Sequence, residues 1–373
     1  MLRYLTAGES HGKGLVAILE GIPSGLRIIE AKINSELKRR KWGYGRGKRM
    51  EIEEDIIEIL SGVRKGFSLG SPIALFIKNR DYRIEELPSI FCPRPGHGDL
   101  AGALKYNTPD IRNILERASA RETAARVAVG AICKTLLSEF GIEIISHVLR
   151  IGRIEIDKKL EFNKIKILAE KSPLRCIDSS AEKKMIAEIE EAMVKGDTLG
   201  GVFEVIAIGV PPGLGSFMEY DLRLDGRIAQ AIMAIPSVKA VEIGDGFLNA
   251  GFFGSEVHDE IYYSKKRGFY RKTNRAGGIE AGISNGEPIV IRGYMKPIST
   301  LKSPLNSVDI ISRKKEKAVV ERADVCVVPA GGVIAEAVSA FELARCLREK
   351  FGGDSLSEMK RSFQAYMQSL KNF

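Results

Sequence analysis

The chain of 373 residues is poor in histidine, with four, and in tryptophan, with one; aromatic residues make up only 7% of it. Its five cysteines are scattered and never in C-x-x-C spacing, which argues against a disulfide framework and a structural zinc site and points to a reducing, cytosolic compartment. No uncharged apolar run reaches the roughly 18 residues a membrane span needs, and the opening MLRYLTAG lacks the apolar stretch of a signal peptide. No G-x-G-x-x-G follows a strand to open a helix, and there is no Walker loop. Gly66-Phe-Ser-Leu-Gly70 and Gly282-Ile-Ser-Asn-Gly286 fit G-x-S-x-G, but each leads into Pro and a β-branched strand, whereas a nucleophile elbow needs a helix there. What remains is an ordinary globular composition, 44% hydrophobic and 28% charged, with a net charge of +9.

That charge is uneven. Lys38, Arg39, Arg40, Lys41, Arg46, Lys48 and Arg49 place seven cations in twelve residues with no acid among them, interleaved with Gly43, Gly45 and Gly47. Glycines let a backbone approach a ligand, and guanidinium forks bind phosphate or carboxylate in two-pronged fashion. Nucleic acid is the rival partner for such a patch, although the acidic Glu51 to Glu58 stretch keeps the footprint local. A solvated basic loop is the plainer alternative.

Alternating and apolar runs bounded by Gly and Pro predict strands at about 13–20, 71–78, 143–151, 202–210 and 287–295. Helices are predicted at about 31–41, 120–139, 182–195, 222–235 and 332–350. Ser119-Ala-Arg-Glu122 reads as a capping box for the second, with Gly141 just past its end. Three short correspondences recur in order: GIPSGL at 21–26 with GVPPGL at 209–214, GFSLGSPI at 66–73 with GISNGEPI at 282–289, and Arg117-Ala-Ser with Arg322-Ala-Asp, each before a helix ending in Phe-Gly. They suggest one domain over 1–373 made of two similar halves, about 1–145 and 200–352, with a Lys- and Glu-rich surface excursion at 152–200. The fold class expected is α+β, layered, rather than a doubly wound parallel sheet.

Three constellations bear chemistry. His11 and His97 sit in glycine-flanked turns, ESHG and RPGHGD, where a core histidine would have no need of them; His147 and His258 lack that context and read as structural. Arg112, Arg117, Arg121 and Arg126 surround a helix start, an arrangement that suits a phosphate unless they merely pair with Glu116 and Glu122. Glu321-Arg322-Ala323-Asp324 precedes an apolar strand-like run and a helix entrance; it is either a buried ion pair or, beside a ligand, a place for Asp324 to accept a proton.

Taken together, TAGESHGKG (6–14), KRRKWGYGRGKRM (38–50), SGVRKG (61–66), RPGHGD (94–99), RASARETAARVAVGA (117–131), GVPPGLG (209–215), VKAVEIGDGF (238–247), MKPIST (295–300) and ERADVCVVPA (321–330) resemble the chorismate synthase family over nearly the whole chain. The resemblance implies a layered β-α-β sandwich with internal pseudo-duplication, usually assembled as a homotetramer. It implies a cytoplasmic lyase of the shikimate pathway dependent on reduced FMN (FMNH2), which converts 5-enolpyruvylshikimate 3-phosphate into chorismate and phosphate by anti-1,4-elimination without net redox change. NADPH would serve as an indirect reductant, through an external flavin reductase. By motif position, His11 would protonate the departing phosphate, His97 would stabilise the reduced flavin, and Asp324 would act with flavin N5 as the base. Ser10, Arg40, Arg46, Arg49, Arg94 and Arg121 would hold the substrate, Arg40 and Arg46 also marking nicotinamide-nucleotide contacts. Flavin contacts would come from Arg117, Ala118, Ser119, Pro236, Ser237, Ala281, Lys296, Pro297, Ile298, Ser299, Thr300 and Arg322. Gly98, Ala281 and Pro236-Ser237 depart from the common pattern, which puts side-chain contacts in doubt at the last two. No metal, membrane or nucleic-acid role is expected, and the alternatives are a basic nucleic-acid-binding protein and an ordinary flavin oxidoreductase.

Overall fold

A computed structural model describes residues 1–47, 52–156, 158–321 and 324–373. The five expected strands and five expected helices are all there. Strands Gly14–Glu20 and Ile73–Lys78 pair antiparallel, so that Leu15 meets Ile77, Ala17 meets Leu75 and Leu19 meets Ile73 on the buried face. Arg3–Ala7 and Ile57–Ile59 complete this sheet at its edges. A second antiparallel sheet runs in the order Val238–Ile243, Ile289–Met295, Gly201–Ile208, Glu143–Ile151, Ile154–Glu155. Antiparallel pairing throughout both sheets excludes the doubly wound alternative.

Two helices form the interior. Thr123–Ser138 packs on the first sheet, Val328–Phe351 on the second, and the two pack on each other. Val328–Phe351 is apolar on nearly all sides because it is buried on nearly all sides. Small residues permit the close crossing: a Cβ added at Gly130 would lie 2.4 Å from the Cβ of Ala337. The charges inside are paired. Glu336, fully buried, accepts from Arg39 at 2.8 Å, from Ser146 Oγ at 2.6 Å and from Arg175 at 3.3 Å, and is bonded to Lys134 as well. Burial alone would raise the Glu336 carboxyl; the three cations outweigh it and hold the group far below the usual carboxylate range.

The first two sequence correspondences share one local feature, while the third, Arg117-Ala-Ser with Arg322-Ala-Asp, lies partly outside the described residues. Ser68 Oγ donates to Pro23 O at 2.6 Å and accepts the Leu26 N–H at 2.9 Å; Ser284 Oγ donates to Pro211 O at 2.7 Å and accepts the Leu214 N–H at 2.8 Å. Both G-x-S-x-G serines are therefore clasps inside turns and not nucleophiles.

Two expectations differ. The 152–200 stretch is more than a surface excursion: its helices Phe162–Lys171 and Ser179–Lys195 bury Ile165, Ala169, Met185, Ile189 and Ala192 in the main core. Its Lys and Glu content reports only the outer faces. The capping box is not formed either. Ser119 Oγ caps a 3-10 turn, Ala120–Glu122, through the Arg121 N–H, while the Glu122 carboxylate pairs with Arg126 one helical turn on at 3.0 Å.

Candidate active site

A cavity of about 390 Å³, within the range of small-molecule sites, draws its lining from both halves of the chain. The ESHG turn supplies Ser10 and His11, the basic segment Arg40 and Arg46, and RPGHGD Arg94, Gly96, His97 and Gly98. The later half of the chain supplies Pro236 and Ser237, the Met295 to Thr300 segment without Pro297, and Glu321, Asp324, Val327, Ala330, Gly331 and Ile334.

His11 is held from every side. Gly8, at φ +110°, lets the chain pass so close to Gly14 that a Cβ would fall 2.3 Å from its carbonyl oxygen. The Asn79 amide donates to the carbonyls of Glu9, Ser10 and Gly12, and His11 O accepts from the Arg83 and Ile84 N–H groups at 3.1 Å. The ring Nδ1 lies 2.9 Å from Glu116 Oε1 and 3.1 Å from Oε2, and Nε2 lies 3.6 Å from Asp81. Burial alone would raise the Glu116 carboxyl, but hydrogen bonds from the His11 ring and backbone, with the charge of Arg112, hold it below its ordinary value.

His97 stands against a second buried carboxylate. Its Nδ1 is 2.5 Å from Asp99 Oδ1, and Arg94 Nε donates to Asp99 Oδ2 at 2.8 Å while Nη1 donates to Thr300 Oγ1 at 2.8 Å. Burial opposes ionisation of Asp99, and the bonds from His97 and Arg94 overcome it, keeping the group well below the usual range.

Asp324 accepts the Gly47 N–H at 2.5 Å and faces Arg46 at 3.5 Å. Glu321 pairs with Arg112 at 3.0 Å. Arg40 is buried, bonded to Thr123 Oγ1, Asp55 and the Ala120 carbonyl; burial, reinforced by Arg121 and Arg46, pushes it down to about 10. Burial and then the nearby Lys239 lower the Lys296 ammonium.

The cavity thus gathers Ser10, His11, Arg40, Arg46, Arg94, His97, Ala118, Ser119, Pro236, Ser237, Lys296, Ile298, Ser299, Thr300 and Asp324. Arg121 is not in its lining: its guanidinium is buried on Asn79, Glu53 and Asp55, behind Arg40. Arg117 spends its donors on the carbonyls of Thr6 and Gly8. Ala281 occupies an exposed hairpin turn with φ +49°, followed by Gly282 at +83°, and is not part of the lining. Arg49 and Arg322 lie outside the described residues. The pairing alternative applies to Arg112 and Arg126, which bind Glu116 and Glu122. His147, bonded to Glu204 at 3.0 Å, and the exposed His258 are absent from the lining, as expected. Arg39 turns inward to Glu36, Glu170 and Glu336 and Arg40 is buried, so among the described residues these two cations are withdrawn from any outward stripe of the kind a nucleic acid would need. Sequence reasoning missed Arg83, a cavity residue whose only signal was the N-R-D-Y-R cluster closing an apolar strand, and the carboxylates Glu116 and Asp99 behind the two histidines.

A family model described as chorismate synthase matches residues 2–347. A chorismate synthase of Carboxydothermus hydrogenoformans is 52% identical over 386 aligned positions, covering 100% of both chains. One of Aquifex aeolicus is 56% identical over 393, covering 100% of this chain and 99% of the relative. A solved crystal structure of chorismate synthase superposes with a TM-score of 0.84 at 48% identity, over 100% of this chain and 99% of the other.

Proposed function

The chain belongs to the chorismate synthase family of carbon–oxygen lyases, and from that premise we propose that it eliminates phosphate from 5-enolpyruvylshikimate 3-phosphate to give chorismate, with reduced FMN as cofactor. The observation that carries this reading is the presence in one cavity of a histidine, an aspartate and several cations, as an elimination of phosphate with loss of a ring proton requires.

The lining suits a flavin. Ile235, Met295, Val327, Ala330 and Ile334 offer an apolar wall to a planar ring, and Gly331 lets the helix pack closely behind it, since a Cβ there would meet Met295 Sδ at 2.3 Å. The hydroxyls of Ser119, Ser237, Ser299 and Thr300 and the Lys296 ammonium suit a ribityl phosphate. Ala118, Pro236 and Ile298 flank them, while Arg322 and Pro297 are assigned by motif position. When bound, reduced FMN supplies the electron density that helps phosphate leave, with no net oxidation.

The protein's own residues bind, orient and move protons. Arg40, Arg46 and Arg94, with Ser10, face the substrate's phosphate and carboxylates, and Arg49 is assigned to the substrate by motif position alone; Arg121 contributes by fixing Asp55, which fixes Arg40. Several anions in one cavity demand such a concentration of guanidinium groups. As the C3–O bond breaks, His11 gives a proton to the departing phosphate, and Asp324 accepts the proton that C6 releases as the new double bond forms. His97 faces the flavin side.

The architecture we propose is a layered β-α-β sandwich made of two similar halves, in a cytoplasmic homotetramer supplied with reduced flavin by an external, NADPH-linked reductase. Anaerobic incubation of the protein with the substrate and reduced FMN tests the reading: phosphate and chorismate appear together if it holds, and no phosphate is released if it fails.

A further inference from the structure

His11 is the one cavity histidine whose backbone and ring are gripped by the same carboxylate. Glu116 accepts the His11 N–H at 2.8 Å through Oε2 and the ring Nδ1 at 2.9 Å through Oε1. The segment is bound to the same helix at a third point, where the Ser10 N–H donates to Glu116 O at 2.9 Å. Glu116 is 2% exposed, so this bidentate hold is not exchanged for water. Behind it stands Arg112, 3.6 Å from Glu116 Oε1 and 3.0 Å from Glu321, whose own segment leads to Asp324. Helix Arg112–Ala118 therefore touches the mounting of His11 on one side and, through Arg112, Glu321 on the other.

We propose that Glu116 is a positioning residue for His11, and that Arg112 ties that grip to Glu321 in the cavity lining. The inference rests on the elimination reading for its kinetic consequence but not for its geometry. An ionised carboxylate is acceptor-only, so the hydrogen on the facing ring nitrogen is fixed at Nδ1. Nε2 is then the nitrogen that must carry the proton given to the leaving phosphate, returning to an acceptor once it is given, and the doubly bound main chain and ring keep it aimed at the leaving group. A reacting proton must be delivered over roughly 2.6–3.2 Å, and a small rotation of an unheld imidazole would forfeit that.

The test is Glu116→Gln, which keeps size and one acceptor but replaces the other with a donor facing a donor, alongside Glu116→Asp. Under the proposal Glu116→Gln lowers kcat by about tenfold or more, changes KM less than threefold and retains the wild-type melting temperature, and Glu116→Asp recovers part of the rate. Parallel loss of kcat, substrate affinity and melting temperature would make Glu116 merely structural and overturn it, as would a wild-type kcat in Glu116→Gln. A second measurement needs neither substrate nor flavin: with 15N-labelled histidine, the resting wild-type protein should show Nδ1 of His11 protonated, whichever state Nε2 is in. A spectrum placing the unprotonated nitrogen at Nδ1 overturns the geometry even if the variant fails to fold. If wild-type protein makes no chorismate, the elimination reading fails while the spectrum still decides whether Glu116 holds the ring.

Discussion

Gly47 donates its backbone N–H to Asp324 Oδ1 at 2.5 Å, across 277 residues of sequence. With Arg46 facing the other oxygen at 3.5 Å, the glycine-spaced basic segment and the acid that ends Glu321–Asp324 form one unit at the cavity wall. The basic run is thus not a free-standing anion patch. Part of it orients Asp324, part lines the cavity, and Arg39 belongs to the interior.

His11→Ala, His97→Ala and Asp324→Ala should each cut turnover at least about tenfold while leaving the protein folded, as judged by circular dichroism and steady-state kinetics. Wild-type turnover in Asp324→Ala would remove it from the mechanism.

Glu336→Gln should lower unfolding free energy by about 3 kcal/mol in urea titration, because it removes the fully buried carboxylate that Arg39, Lys134 and Arg175 share and leaves them only the less buried Glu36 and Glu170. Arg39 keeps Glu36 and Glu170, so the same change at Glu36 should cost less.

Gly130→Val should destabilise by about 1–3 kcal/mol, since its Cβ would stand 2.4 Å from Ala337 Cβ and 2.5 Å from its Cα, both in the rigid crossing of the two interior helices. Thermal denaturation measures it; an unchanged melting temperature would mean the crossing can open.

Burial raises the Glu342 carboxyl from 4.5 to about 7, with Arg345 and Arg227 opposing and Glu349 reinforcing the shift. The folded state keeps this proton where the unfolded chain has lost it. Stability from the group is therefore full below about pH 4.5, declines as pH rises and is lost above about 7, a change of about 3 kcal/mol. Glu342→Gln should flatten that part of the stability profile, read by urea titration at pH 5 and pH 8.

Strands such as Gly14–Glu20 were legible because one face is buried and the pattern alternates, and the 328–351 helix because Pro329 and Gly352 bracket its apolar run. The glycine-flanked histidines were legible because special backbone angles need glycine, as at Gly8 and Gly96. Partner choice was not. Arg94, Arg112, Arg117 and Arg121 look alike in sequence, yet of the four only Arg94 lines the cavity and the other three are consumed by carbonyls or carboxylates, which only the meeting of distant segments decides. Glu116 and Asp99 were invisible for the same reason: a buried acid shows its purpose only through what it faces.

The account stands most directly on the redox balance of the reaction. Flavin absorbance and chorismate should be followed together, anaerobically, with substrate in large excess over reduced FMN. The account predicts many chorismates and phosphates per flavin with the flavin still reduced at the end. One flavin oxidised for each chorismate, or equal turnover with no flavin present, would contradict it.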